Sequence, residues 1–249
     1  MKKQTILLLI SASALLLSGC ATQQNRDPYE GFNRAIFTFN EKANDYVLIP
    51  AAKGYNYVMP SDFQHGIDNA YNNLLEPGRV VNDLLQMNFG YALKDSARFL
   101  ANTIFGVFGL FDAARYMGLP RHRQDFGFTL AYWGYRYSPY LVLPILGPST
   151  VGNTIGGIPD GLMNPINYSA VAPAYISWSA YGGYKFNQGA LYLPQYQKLV
   201  GSAIDPYVAV RNAYLQNLDY ETNKNLGITT SPQNDGSVNQ QEVLNLLDD

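Results

Sequence analysis

Residues 98–115 read RFLANTIFGVFGLFDAAR. Thirteen consecutive uncharged residues separate Arg98 from Asp112, and four of them are phenylalanine. As a helix rising about 1.5 Å per residue they would cover roughly 20 Å, short of the ~30 Å hydrocarbon core of a bilayer. The stretch is either the buried helix of a water-soluble domain or a segment that enters a membrane partway. The rest of the chain has to decide.

The N-terminus favours a membrane. Lys2 and Lys3 make a basic start, and Ile6 to Leu17 is an apolar run of signal-peptide length. It ends in Leu17-Ser18-Gly19-Cys20, a lipobox: small residues before a cysteine that is acylated and becomes the first residue of the mature chain. An ordinary signal peptide with a stray cysteine is the alternative. Yet Cys20 is the only cysteine among 249 residues and stands where the lipid would go. Ala21 in place of aspartate favours sorting to the outer membrane. Residues 1–19 are thus expected to be a signal peptide and 20–26 a lipidated polar tether. Several acyl chains hold a protein on a membrane stably. No thiol remains for disulfides, metal ligation or catalysis.

Composition narrows the class further. Losing Lys2 and Lys3 with the signal leaves the 19 acids further in excess of the bases, which gives no electrostatic case for nucleic acid. Only 14% of residues are charged, against about 25% in a typical soluble domain. The 20 tyrosines outnumber the 17 lysines and arginines. A ring with a polar tip suits surfaces that are apolar on one side and wet on the other, a bilayer interface or an aromatic-rich soluble core.

Periodicity predicts helices. Asp27 as N-cap, Pro28 at the first helical position and Glu30 open one, with Phe32, Ile36, Phe39, Ala43 and Tyr46 on one face and Pro50 as its stop. Ser61 and Gln64 read as the capping box of a second, with Phe63, Ile67, Tyr71, Leu74 and Leu75 as its apolar stripe. Pro77-Gly78 is expected to break it, with another helix through Val80, Val81, Leu84 and Leu85. A further helix runs from about Tyr91 into the opening stretch. Past Arg136 the only charge before Lys185 is Asp160. Prolines 139, 144 and 148 rule out a straight spanning helix, Gly152 to Gly161 reads as loop, and Pro165 and Pro173 interrupt the next uncharged run. Such segments enter a membrane and turn back, or are buried loops of a soluble protein. Asp205-Pro206 opens a last helix with Tyr207, Val210, Tyr214 and Leu218 aligned. From Gly227 the tail has too little apolar content to fold alone, though Val243, Leu244 and Leu247 suit a short terminal helix. The expected class is all-α.

Catalytic motifs are weak. Gly147-Pro148-Ser149-Thr150-Val151 has valine where a nucleophile elbow needs glycine, and Asp125-Phe126-Gly127 lacks the other kinase motifs. His65 and His122 have no partner at metal-ligand spacing, and Arg121-His122-Arg123 reads as a solvated or headgroup-facing loop. A Ser149/His122/Asp125 constellation is the one hydrolase arrangement that can be drawn, and no carboxylate pair in a cleft is evident.

Five blocks carry a resemblance: DPYEGFNR (27–34), LLEPGRVVNDLLQ (74–86), RFLANTIFGVFGLFDAA (98–114), FGFTLAYWGYRYSPYLVLPILGPST (126–150) and DPYVAVRNAYL (205–215). Together they resemble the MlaA/VacJ outer-membrane lipoproteins. The resemblance implies an all-α, ring-like arrangement of amphipathic and re-entrant helices embedded in one membrane leaflet, here residues 27–226, with a flexible tail over 227–249. It implies a non-enzymatic channel that removes phospholipid from the outer leaflet and passes it to the periplasmic lipid carrier of the Mla pathway, beside a trimeric porin and without a cofactor. On that reading the lipidated residue is Cys20, and the lipid-facing residues are Phe99, Leu100, Ile104, Phe105, Phe108, Leu141, Val142, Leu143 and Ile145. After GPST, where relatives carry a leucine and an arginine–aspartate pair, this chain carries Val151-Gly152-Asn153. The alternatives are a lipid-anchored protein that binds porins without moving lipid, and a phospholipid hydrolase. Replacing Cys20 with alanine should abolish incorporation of labelled palmitate and release the chain from the outer-membrane fraction; a variant that stays labelled would refute acylation there.

Overall fold

The computed structural model describes residues 25–168 and 174–228. The expectations for the signal peptide, Cys20 and the Val243/Leu244/Leu247 helix lie outside those residues.

Helix α1 (Glu30–Ala43) continues through a π-helical turn (Asn44–Leu48) into α2 (Ile49–Val58). The expected start and stop are both corrected. Asp27 is no cap: its carboxylate is turned inward, accepting from Asn33 Nδ2 at 2.8 Å, from Arg211 at 3.1 Å and from the Tyr207 hydroxyl. These partners displace a local cap, and Tyr29 stands at the N-cap instead. Pro50 falls in the first turn of α2, where a missing N–H costs little, and the wide turn before it leaves room for the ring.

Helix α3 (Ser61–Leu85) runs through Pro77 without a break, so the two helices expected there are one. Packing on both sides of the proline outweighs one lost backbone bond. Its predicted capping box does not form, because Gln64 reaches back to the Met59 carbonyl at 2.8 Å. A short turn with Met87 at φ 58° leads into α4 (Phe89–Ile104), capped by Asn88. The opening stretch is therefore only partly helical. Beyond Ile104 the chain coils tightly, with Val107 and Phe108 at positive φ, and its amides bond inward: Phe108 N to Thr103 O at 3.1 Å, Gly109 N to Asn102 O at 2.9 Å. A helix could not turn so sharply.

Short helices α5 (Ala113–Tyr116) and α6 (Phe126–Tyr132) follow, capped by Asp112 and Asp125. Strands β1 (Tyr140–Leu143) and β2 (Gly147–Thr150) pair antiparallel, with Tyr140 opposite Thr150. Gly152 to Gly161, expected as loop, lies in helix α7 (Val151–Met163), capped by Thr150. Its glycines serve contact: a Cβ on Gly156 would sit 2.8 Å from Gly127 N, so α6 and α7 touch through backbone. Helices α8 (Ala174–Leu191), α9 (Leu193–Ser202) and α10 (Pro206–Asn225) complete the chain, the last with the Asp205-Pro206 start the sequence predicts.

The neighbour relations close a circuit. α1 lies on β1, β2 on α10, α10 on α6, α6 on α3, α3 on α8, α8 on α2, and α2 joins α1 through the π turn. The mainly helical ring that the resemblance implies is present, and among the described residues the hairpin of two four-residue strands is its one sheet. Asn33 and Asn40, on the buried face of α1, weld the circuit to β1. Asn33 exchanges bonds with Tyr140 O and Val142 N at 3.0 and 2.9 Å, and Asn40 with Leu143 O and Ile145 N at 2.9 and 2.7 Å.

Burial runs opposite to a water-soluble protein. Among the described residues 24 buried side chains are polar or charged and 14 are apolar, five of the latter alanine. Phe32, Phe39, Tyr46, Phe63, Ile67, Leu74, Val81, Leu93 and Leu100 face outward. Of the stripes aligned from sequence, those of α1 and α3 are mostly outer faces, Tyr71 excepted, while Tyr207, Val210 and Leu218 of α10 are buried. No described helix is long and apolar enough to cross a membrane. Replacing Gly156 with alanine should lower stability by about 1–3 kcal/mol through the clash with α6. Gly157→Ala, which meets nothing within 4 Å, should change it little; equal thermal unfolding midpoints for the two would contradict this packing.

Candidate functional site

One face of α3 carries Gln64, Asp68, Asn72, Glu76, Arg79 and Asp83, continued by its C-cap Gln86, a helical spacing of threes and fours, and all are buried. Buried charge survives only when paired and hydrogen-bonded, and the surrounding elements supply the partners. Glu76 meets Arg79 at 3.0 Å and Arg98 of α4 at 3.4 Å. Arg98 also grips Asp112 at 3.1 Å, which Asn102 supports from the same helix. Asp68 receives Arg121 at 3.2 Å and Gln188 of α8 at 3.1 Å. Gln86 donates to Thr129 of α6, Thr129 to Asn82, and Asn82 to Asp160 of α7. This one helix face ties most of the ring together.

Asp83, Asp95 and His122 form the one group among the described residues close enough to suggest a metal. Opposite ring nitrogens face different carboxylates, Nδ1 at 2.9 Å from Asp95 and Nε2 at 3.7 Å from Asp83, with Tyr91 stacked on the ring. The imidazole hydrogen-bonds Asp95 and has only a charge contact with Asp83, its Nε2 being left without a hydrogen-bond partner. Burial raises the Asp83 carboxyl above its usual range.

A polar recess is defined by Lys185 of α8, Tyr214 of α10, and Arg123 and Asp125 just before α6, which lie within electrostatic range of one another. Lys185 of α8 is open to solvent, yet desolvation and then the charge of Arg123 lower its ammonium below the usual lysine range, while Asp68 and Asp125 oppose the shift. Its ammonium stands 5.5 and 5.8 Å from the rings of Tyr184 and Tyr181. Tyr214 of α10 faces Arg123 and Asp125 too; burial pushes its hydroxyl up to about 12, and Asn153 of α7 donates to it at 3.2 Å. Both signs of charge and several hydroxyls thus line one recess, a wall suited to a zwitterionic or anionic headgroup.

A family model for the MlaA lipoprotein matches residues 25–221. The chain belongs to the MlaA lipoprotein family. It is 33% identical over 228 residues to the intermembrane phospholipid transport system lipoprotein MlaA of Escherichia coli K12, covering 87% of this chain and 89% of that one. The Haemophilus influenzae protein of the same name is 34% identical over 236 residues, covering 90% and 92%. An uncharacterised Rickettsia conorii protein is 37% identical over 188 residues, covering 75% and 74%. A solved chain from "Structural basis for maintenance of bacterial outer membrane lipid asymmetry" superposes with a TM-score of 0.70 at 32% identity, covering 79% of this chain and 99% of that chain.

In this MlaA-family ring the residues singled out from sequence are distributed as follows. Leu100, Ile104, Phe105, Phe108 and Ile145 are exposed, while Phe99, Leu141 and Leu143 are half-buried. Val142 is corrected: it is buried against Tyr140 and Tyr207, because alternation along β1 turns it inward. His122 is corrected too, from a solvated loop to a buried partner of Asp95. The carboxylate pair that the sequence did not reveal is Asp83 with Asp95. Ser149, His122 and Asp125 are not brought together: Ser149 bonds Thr154 at 3.1 Å, Asp125 caps α6, and His122 meets Asp95. The α3 stripe and Lys185 were missed. Their signals were the polar periodicity along 64–86 and the lysine that closes an uncharged run.

Asp160 reports on the network. Burial and then Asp125 push its carboxyl up from 3.8 to about 6. The folded chain holds that proton more tightly than the unfolded one, so this group's contribution to stability falls as pH rises from about 4 to about 6. Asp160→Asn should flatten that part of the profile in thermal unfolding of the detergent-solubilised protein. A variant as steep as the wild type would contradict it.

Proposed function

We propose that the protein is a non-enzymatic, lipid-anchored component of the outer membrane, held by acyl chains on Cys20. It takes phospholipid out of the outer leaflet through the polar recess of its ring and passes it to a soluble periplasmic carrier of the Mla pathway, which maintains lipid asymmetry. The observation that carries this is the reversed burial: a ring apolar outside and charged within. Moving a charged headgroup through an apolar layer is costly without polar partners. The recess of Lys185, Arg123, Asp125 and Tyr214 lowers that cost while acyl tails stay against apolar wall. The outward residues Leu100, Ile104, Phe105, Phe108 and Ile145 face lipid tails, with the phenylalanine coil buried in one leaflet. Membership of a family whose relatives are named for intermembrane phospholipid transport supports the same reading. A trimeric porin beside the ring fits the outward belt.

The test is transfer of labelled phospholipid from outer-membrane vesicles containing the protein to the purified carrier. Wild type should transfer, and Lys185→Glu should slow transfer several-fold while staying in the membrane. Porin co-purification without any transfer would instead favour the structural alternative, and release of free fatty acid would favour hydrolysis. Phe108→Asp should also weaken membrane retention, since a charge against hydrocarbon costs about 2.5–3.5 kcal/mol on insertion scales; wild-type retention would place that coil in water.

A further inference from the structure

A second cavity, of about 440 Å³, lies away from the recess, on the face of α10 that carries Asn212, Asp219 and Asn223. Arg26, Arg136 and Tyr137 complete it. Two arginines face one acid there, so the lining is net positive. Arg26 spends only Nη1 on Asp219, at 3.0 Å. Its Nε and Nη2 are buried and have no hydrogen-bond partner, and the side chain is 11% exposed. Nε and Nη2 form one edge of the guanidinium, the fork that takes two oxygens of a single oxyanion side by side. Tyr137 holds the ion from its face, 5.4 Å from the Arg26 carbon and 5.7 Å from that of Arg136. Arg136 is itself anchored to Asn223. Buried charged donors left unpaired are costly. Neither nitrogen has surface open to the cavity as the side chain stands, so an acceptor held there meets this edge through a small outward rotation of the guanidinium, and the cavity has room for more than that acceptor.

We infer that this Arg26–Arg136 cavity binds a phosphate oxyanion, and that the phosphate is that of a phospholipid headgroup. The source follows from chain length. Arg26 is six residues beyond Cys20, and six residues span at most about 22 Å. On the proposed acylation of Cys20, on which the inference rests, the cavity is held within reach of the headgroup layer. The site grips a resident lipid at the ring's edge and fixes the tethered N-terminus against α10; it is separate from the recess around Lys185.

The test uses the full mature chain in maltoside detergent, titrated by calorimetry with dihexanoylphosphatidylglycerol, with inorganic phosphate and with phosphate-free dihexanoylglycerol. The short phospholipid should bind. Arg26→Gln and Arg136→Gln should each weaken that binding about tenfold, and Lys53→Gln, on the exposed side of α2, should leave it in place. Because Arg26 also pairs with Asp219, its variant is read beside Arg136→Gln and a thermal melt. Inorganic phosphate binding as tightly as the phospholipid would overturn the lipid source. Equal binding by wild type and both arginine variants would leave only water in the cavity and overturn the site. Running lipid transfer to the carrier on the same variants separates the two readings. Wild-type transfer without arginine-dependent binding sinks this inference alone, whereas absent transfer with intact binding sinks the channel.

Discussion

The structure depends on satisfying a row of charges along one side of α3. Glu76, Arg79, Asp68 and Asp83 point into protein, and removing one partner of a buried pair typically costs about 3–5 kcal/mol because the other charge is left stranded. Most elements that reach α3 answer a polar group on it or at its end: Arg98 of α4 meets Glu76, His122 and Gln124 of the connecting loop meet Asp83, Thr129 of α6 meets Asn82 and Gln86, Asp160 of α7 meets Asn82, and Gln188 of α8 meets Asp68. Apolar attraction is non-directional and would not fix this arrangement. Directional bonds of this kind specify which helix meets which, and a ring needs that specification more than a close-packed bundle does.

The same constraint sets the outer surface. With polar residues drawn inward, the large apolar side chains have only the outside left to occupy, and the 98–115 stretch shows it locally. Asn102, Asp112 and Thr103 hold the coil from within, while Phe105, Val107, Phe108, Leu110 and Phe111 project outward from a backbone whose amides bond back to α4. Irregular backbone is tolerated next to hydrocarbon only where protein satisfies its polar groups. The strained Val107 and Phe108 dihedrals are the local cost of presenting aromatic rings without exposing amides. A polar interior and an apolar rim are thus two consequences of one burial pattern.

Much of this was legible in the sequence. The Asp205-Pro206 start, the helical class and the absence of a spanning segment follow from local chemistry and hydropathy. Helix breaks at Pro50 and Pro77 did not follow, since tertiary contacts overrode a local preference. Gly152 to Gly161 misled for a related reason: glycine signals either a turn or a close approach, and only the presence of Gly127 opposite Gly156 decides. The recess was least legible. Asp83, Asp95 and His122, or Lys185, Arg123 and Tyr214, lie far apart in the chain, and periodicity alone does not say which face of an amphipathic helix meets water. For α3 the habitual assumption points the wrong way.

The central claim is that the ring is apolar toward hydrocarbon and polar toward its own interior. Spin labels placed singly at Phe63, Leu93, Phe108 and Lys185 in bilayer-reconstituted protein test it through their accessibility to oxygen and to a water-soluble nickel chelate. Labels at the three apolar positions should be relaxed mainly by oxygen, and the label at Lys185 mainly by the chelate. Strong chelate relaxation at Phe63, Leu93 and Phe108 would contradict the account.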